Sequence, residues 1–336
     1  MSKNVKMKDI ADKLGVSIVT VSKALSNKQG VSEELREKIK KIALDMGYKT
    51  NNINNKDSKY TYNIGVIVAQ KYMDVENSFY FTIYNNIVKH LSDYNYYAIL
   101  EIIDRDKEIE NIIPNIILDK RVDGIIILGQ MEEEYTKTIC QQNIPVIFLD
   151  FYDRHFSVDS VIGDNIYSSY AITNYLIEHG HTNIGYVGNI HSNRSILDRY
   201  LGYSKALLEN GLQINMEFII DDRDANGAFY KFDLPKSLPT AFVCNSDKTA
   251  YYFIRYLNEI GLSVPDDVSI VGFDNDIHAK ISTPPITTVQ IDINKMAKKC
   301  VANIIKKITS VDEKIDNSII HGNIIIRNSV KTLGYR

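Results

Sequence analysis

A chain of 336 residues of which 44% are apolar is longer than one compact core accommodates, so a large two-lobed body with at most one small module is expected. No run of about 18 uncharged apolar residues occurs, and the opening MSKNVKMKDI lacks an apolar segment followed by a cleavage site, so neither a membrane span nor export is expected and the chain is read as cytoplasmic. The net charge of −3 is unevenly spread: residues 1–62 hold thirteen Lys or Arg against seven Asp or Glu, a net of +6 that leaves −9 for the remainder, which suits a basic head meeting a polyanion.

The head reads as three short helices, KMKDIADKL, VTVSKALSN and SEELREKIKKIALDMGY. Gly15 suits a left-handed turn after the first, Ser17 caps the second, and Ser32 opens the third at an acidic turn. Ile10, Leu14, Val21, Leu25, Ile39 and Ala43 are spaced to form a miniature core. Two short helices around Gly15, with small Ala11 at the crossing, make a helix-turn-helix. Its second helix exposes Ser17, Ile18, Val19, Thr20, Ser22 and Lys23. The hydroxyls of Ser17, Thr20 and Ser22 suit phosphate contacts. Lys23 either donates to guanine or neutralises phosphate, and Ile18 and Val19 either meet thymine methyl groups or fill the head's core.

TNNINNKDSKYTY follows, polar and without an apolar stripe, and reads as a linker. From Asn63 onward, apolar strand-like runs alternate with amphipathic stretches: IGVIVA, FTIYNNIVKHLSDY, YYAILEII, EIENIIPNIILDK, DGIIIL, EYTKTICQQ and PVIFLD. After VIGD the alternation restarts with AITNYLIEHG, NIGYVG, YLGYSKALLENG, TAFVC, YYFIRYLNEIG and SIVGFD. Two such series imply two parallel-sheet lobes with helices on both faces, and a ligand cleft beyond the carboxyl ends of the strands. The expected architecture is therefore a small all-α helix-turn-helix head over residues 1–48, a linker over 49–62 and an α/β two-lobed body over 63–336. Cys140, Cys244 and Cys300 are odd in number and far apart, which fits neither a disulfide framework nor a zinc site and leaves them as small buried hydrophobes.

The head sequence MKDIADKLGVSIVTVSKALSNKQGVSEELREKIKKIALDMGY resembles the lactose-repressor (LacI/GalR) family of bacterial regulators. The resemblance continues through IGVI, NSFY, VDGIIIL, IPVIFLD, GDN, LIEHGHTNIGYVG, DRYLGYSKAL, VPDDVSIVGFD and TPPITTV, in the family's order and over nearly the whole chain. It implies a repressor acting as a homodimer on a near-palindromic double-stranded operator, with a periplasmic-binding-protein-like body, an allosteric small-molecule effector such as a mono- or oligosaccharide, and no cofactor or metal. In the family's pattern Ile18, Val19 and Lys23 fall on the positions that choose the operator. The linker departs from it: the usual proline and Ala-Arg-x-Leu-like hinge segment are replaced by Thr50–Asp57, with Asp57 where an apolar wedge would stand, which a carboxylate cannot replace. Asn51 and Asn52 either read the groove and phosphates or belong to a polar tether, and Ile53 is an alternative candidate for the apolar contact.

For the effector, Asp274 directly follows the strand SIVGF and matches the family's ligand-binding aspartate; the bland reading is a turn aspartate. Arg199 in DRYLGY matches the family's pocket arginine, against a surface ion pair. Phe79 and Tyr80 fall where the family places aromatic residues against the effector, against plain core packing. Ser246 replaces the family's usual amide after TAFVC. Asp164 and Asn165 either line the cleft or cap a helix, and His179 and His181 are read as structural hydrogen-bonding groups. An enzyme is disfavoured by the absence of GxGxxG, a phosphate loop, GxSxG or a paired-histidine motif. A transport solute-binding protein is disfavoured by the attached head, and a regulator answering mainly to a protein corepressor stays open.

Overall fold

The computed structural model describes residues 5–25, 28–46, 48, 60–73, 78–223, 232–310 and 317–334. The chain forms two compact units, Met1–Lys59 and Tyr60–Arg336. In the first, α1 (Met7–Leu14), α2 (Ile18–Leu25) and α3 (Glu33–Asp45) enclose Ile10, Ala11, Val21, Ala24, Ile39 and Ala43, with Leu14 and Leu25 packed against them. Each helix end has a local cause. The Asp9 carboxylate accepts from the Lys6 amide at 2.7 Å. Ser17 Oγ accepts from the Thr20 amide at 3.0 Å, and Ser32 Oγ from the Leu35 amide at 3.4 Å. Gly15 ends α1 at φ 65° with open space where a Cβ would sit, so backbone conformation rather than crowding selects glycine there. The Arg36 guanidinium, 7% exposed, ties α3 to the end of α2 by donating to the carbonyls of Lys23, Ala24, Lys28 and Val31.

The second unit holds two six-stranded sheets. The first lobe contributes β1 (Asn63–Ala69), α4 (Ser78–Ser92), β2 (Tyr97–Ile103), α5 (Arg105–Ile109), α6 (Asn115–Leu118), β3 (Gly124–Leu128), α7 (Glu133–Cys140), β4 (Val146–Leu149) and β5 (Ser160–Gly163). The second contributes α8 (Asn165–Glu178), β6 (Ile184–Val187), α9 (Arg194–Glu209), β7 (Ile219–Ile220), β8 (Ala241–Cys244), α10 (Asp247–Glu259), β9 (Ser269–Phe273), α11 (Ile277–Ile281) and β10 (Thr287–Ile291). The chain then returns as α12 (Ile293–Thr309), which packs on α4 and β3, adds β11 (Ser318–Ile320) to the first sheet and ends with β12 (Gly322–Ile325) on the second. The strand orders are β11-β5-β4-β3-β1-β2 and β12-β10-β9-β8-β6-β7. The described ladders are parallel except that β12 runs antiparallel to β10. β3, β4, β6, β8 and β9 are buried along their whole length, as strands covered on both faces must be.

Two features depart from the sequence reading. EIENIIPNIILDK is not one helical stretch: it contributes to α5 and α6, which end and begin on either side of Pro114, whose ring and missing N–H break the ladder. Of the three crossings between lobes, the one at Asp164 coincides with the restart after VIGD, whereas those at Asp292 and His321 carry no sequence signature. At the start of β12, paired with β10, a Cβ on Gly322 would stand 2.7 Å from Val289 Cγ1 and 2.8 Å from Ile291 Cδ1, so a side chain there would force its neighbours to shift. A continuous apolar cluster runs from Ile64 and Ile126 in the first lobe through Ile291 and Ile320 to Ile184 and Val271 in the second.

Candidate nucleic-acid interface and ligand cleft

On the head, α2 buries Val21 and Ala24 and turns its other faces outward. Ile18 and Val19 are 48% and 62% exposed, which removes the reading that they fill the core and leaves two apolar side chains displayed at a helix N-terminus. Ser17, Ser22 and Lys23 are exposed beside them. Thr20 is half-buried and its hydroxyl pairs with Ser17 Oγ at 2.8 Å, so two hydroxyls expected to serve phosphate also stabilise the start of the helix. Asn51 and Asn52, with Ile53 and Asp57, lie outside the described residues.

In the body, the groups beyond the strand ends converge. Arg199, on α9 and 7% exposed, donates from Nε to Asn165 Oδ1 at 2.8 Å, from Nη1 to the Asn245 carbonyl at 2.5 Å and from Nη2 to Asp274 Oδ1 at 3.2 Å. Its guanidinium lies 3.8 Å from the centre of the Phe273 ring. Asn165 is thus drawn into the site, whereas Asp164 caps α8 through the Tyr167 amide and meets His321 Nδ1 at 2.8 Å. Asp274 sits at φ 107° immediately after β9, a conformation that costs on the order of 1–3 kcal/mol and is held by its surroundings. Burial pushes its carboxyl up to about 7 even though Arg199 opposes the shift.

Facing it from the first lobe, Asp150 follows β4 at φ 68° and is 7% exposed. Burial raises its carboxyl to about 6, against the Arg199 charge and a 2.9 Å hydrogen bond donated by the Tyr80 hydroxyl. Tyr80 lies 4.5 Å from Tyr72 ring to ring and edge-on to Phe79 at 5.3 Å, so the expected aromatic pair is present and a third ring joins it. Ser246 is committed to capping α10, accepting from the Thr249 amide at 3.1 Å. The neighbouring Asn245 reaches inward: its Nδ2 donates to Asp222 Oδ2 at 3.0 Å, and its buried Oδ1 has no hydrogen-bond partner. Asp222 is fully buried; burial opposes its charge, but Arg223 and Thr249 hold its carboxyl below the usual range. His179 and His181 accept structural roles: the first bonds the Tyr175 carbonyl at 2.7 Å, the second Thr240 Oγ1 at 2.9 Å and the Lys331 carbonyl at 3.0 Å.

The N-terminus of α9 also bridges the lobes. The Arg194 amide donates to Gln130 Oε1 at 3.1 Å, its guanidinium meets Asp153 Oδ2 at 2.7 Å, and the Tyr152 hydroxyl donates to Asp198 Oδ1 at 3.1 Å. Tyr72, Asp150, Asn245 and the Asp222–Arg223 pair were not singled out from sequence. For Asp150 the signal was present, because it follows VIFL just as Asp274 follows SIVGF. Among the described residues no cluster of three or more His, Cys, Asp or Glu could hold a metal, and no helix is long and apolar enough to cross a membrane.

Residues 6–51 match the family described as bacterial regulatory proteins, lacI family, and residues 173–330 match a periplasmic binding protein-like domain. The HTH-type transcriptional regulator RegA of Clostridium saccharobutylicum is 30% identical over 332 residues, covering 96% of this chain and 98% of the relative. Among solved structures, the lac repressor dimer bound to operator and the anti-inducer ONPF aligns with a TM-score of 0.72 at 22% identity, covering 98% of this chain and 100% of that one. A complex of the transcriptional regulator CelR with cellobiose aligns at 0.67 and 22%, covering 97% and 100%.

Proposed function

Because the chain belongs to the lacI family of bacterial regulatory proteins, and is therefore a DNA-binding transcriptional regulator, we propose that it is a cytoplasmic repressor whose operator affinity is set by a saccharide bound between the lobes of its body. The observation that carries this reading is the Arg199–Asp274 pair, set at the carboxyl ends of strands and faced by Asp150 and Tyr80. Vicinal hydroxyls both donate and accept, and a buried carboxylate beside a guanidinium offers both partners at once, while aromatic rings suit the apolar face of a sugar. The CelR–cellobiose complex supports the same ligand class. Phe79, Tyr80, Arg199 and Asp274 are the effector-contacting set, whereas Ser246 caps α10 and leaves that place to Asn245; Ser17, Ile18, Val19, Thr20, Ser22, Lys23, Asn51 and Asn52 are the DNA-contacting set, on a head of residues 1–48 joined by a linker of 49–62.

Two copies related by a two-fold axis would place two reading helices on one near-palindromic operator, as the solved lac repressor dimer supports. A ligand changes operator affinity only by binding one arrangement of the lobes more tightly than another, a coupling of about 1–3 kcal/mol in typical cases. Cross-lobe contacts at Arg194 and Tyr152 are where such arrangements would differ. The test is to select an operator from random duplexes with the full chain and titrate mono- and disaccharides into the complex. At least one sugar should change operator affinity about 5- to 150-fold. Failure to prefer any duplex over random competitor would refute the DNA reading, and indifference to all sugars the effector reading.

A further inference from the structure

The charges lining the cleft distinguish neutral from acidic sugars. Among the described residues there, each arginine already has a carboxylate: Arg199 meets Asp274 at 3.2 Å, Arg223 meets Asp222 at 2.5 Å and Arg194 meets Asp153 at 2.7 Å. A phosphoryl or carboxylate group draws its affinity from guanidinium, ammonium or helix N-terminal amides. Recruiting any of these arginines would strip a carboxylate of its partner, most severely the fully buried Asp222. At each helix N-terminus facing the cleft one amide is already capped from within the chain, Tyr167 by Asp164 at 3.1 Å, Ile196 by Asn193 at 2.9 Å and Thr249 by Ser246 at 3.1 Å.

Asp150 is the opposite case. It is 7% exposed, and among the described residues no Lys, Arg or His forms an ion pair with it; its side-chain partner is the Tyr80 hydroxyl at 2.9 Å. A carboxylate in such a place accepts a hydroxyl readily and repels an anion across a low-dielectric gap. We propose that Asp150 makes this cleft select an uncharged saccharide and exclude its phosphate esters and sugar acids. The inference rests on the saccharide reading above and narrows it to a charge class.

The experiment uses the full chain at about pH 7.5, where a free carboxyl is ionised. Thermal melting is followed with glucose, ribose and cellobiose, with their phosphate esters and with the corresponding sugar acids. Whichever neutral sugar stabilises the protein should bind at least about tenfold more tightly than its acidic counterparts. Asp150→Asn, which keeps an oxygen for Tyr80 to donate to, should bring that ratio toward one. An acidic compound binding the wild type as tightly as its neutral parent overturns the inference and leaves the saccharide reading standing, as does a ratio that Asp150→Asn fails to change. If no compound of either class moves the melting temperature, the saccharide reading falls and the inference falls with it.

Discussion

In the head, most groups that shape the reading helix find their partners nearby. Ser17 caps three residues ahead, and Arg36 reaches carbonyls 5 to 13 positions away. In the body, Arg199 gathers Asn165, Asn245 and Asp274 from 34, 46 and 75 positions away, and Tyr80 meets Asp150 across 70. Among the described residues the head buries one charged group, the cation Arg36, whereas the body buries carboxylates and pushes up those of Glu108, Asp150, Asp198, Asp247 and Asp274. A short helical module declares its outer face through periodicity and capping, because both are local. A site at strand ends exists only after the sheets have brought those ends together.

The sharpest way to break this comparison is Arg36→Ala. It deprives four carbonyls of a buried charged donor, which should cost the head on the order of 3 kcal/mol or more. Calorimetry of the full chain should show the head transition lost, along with operator binding, while the body transition stays. Operator binding that survives would show that the head does not depend on this tie.

The buried carboxylates test the other side. Asp150 and Asp274 have folded values of about 6 and 7, above those of an unfolded carboxyl, so folding favours their protonated forms. Their contribution to stability is complete below about pH 4 and is lost as the pH rises through 6 to 7. Asp150→Asn lacks that penalty and should gain about 2–3 kcal/mol on the ligand-free wild type between about pH 4 and 7. A constant difference in denaturant midpoint across that range would show that Asp150 is not held against its charge.

Asp274→Ala should weaken effector binding by about tenfold to a hundredfold, since a charge-assisted hydrogen bond contributes about 1.5–3 kcal/mol. The readout is the effector-induced change in operator affinity, and an unaltered titration would remove Asp274 from the site. The smallest effect is expected at the reading helix. Ile18→Ala and Val19→Ala should change head stability by less than about 0.5 kcal/mol, because both side chains are exposed, yet shift base preference by up to about tenfold at one operator position. Selection from random duplexes measures the shift, and an unchanged consensus would assign these residues no part in readout.

Much of the fold was legible. The three helices of the head, Gly15 and the caps at Ser17 and Ser32 follow from spacing and residue type, and the alternating runs from IGVIVA to SIVGFD correspond to the strands and helices of both lobes. The site was legible in part. Arg199, Asp274 and Tyr80 were reached through resemblance and strand-end position, but Asp150 was passed over although it obeys the same strand-end rule. The sequence points to Ser246 rather than Asn245, since a linear chain does not reveal which of two adjacent residues turns into the helix cap and which turns inward. The chain from Thr287 onward divides between the two sheets, and that division leaves no local mark in the sequence.

The helical head and the two-lobed α/β body can be read from residue order alone, because helix period, caps and strand runs depend on neighbours along the chain; the outward display of Ile18 and Val19 needed the packed head. The pairing of Arg199 with Asp274, the lack of an ion pair to Asp150 among the described residues, and the upward push on both carboxyls emerge only on folding. Ionisation in a cleft depends on burial and on the distance to other charges, and those are set by how strands distant in sequence come to lie side by side.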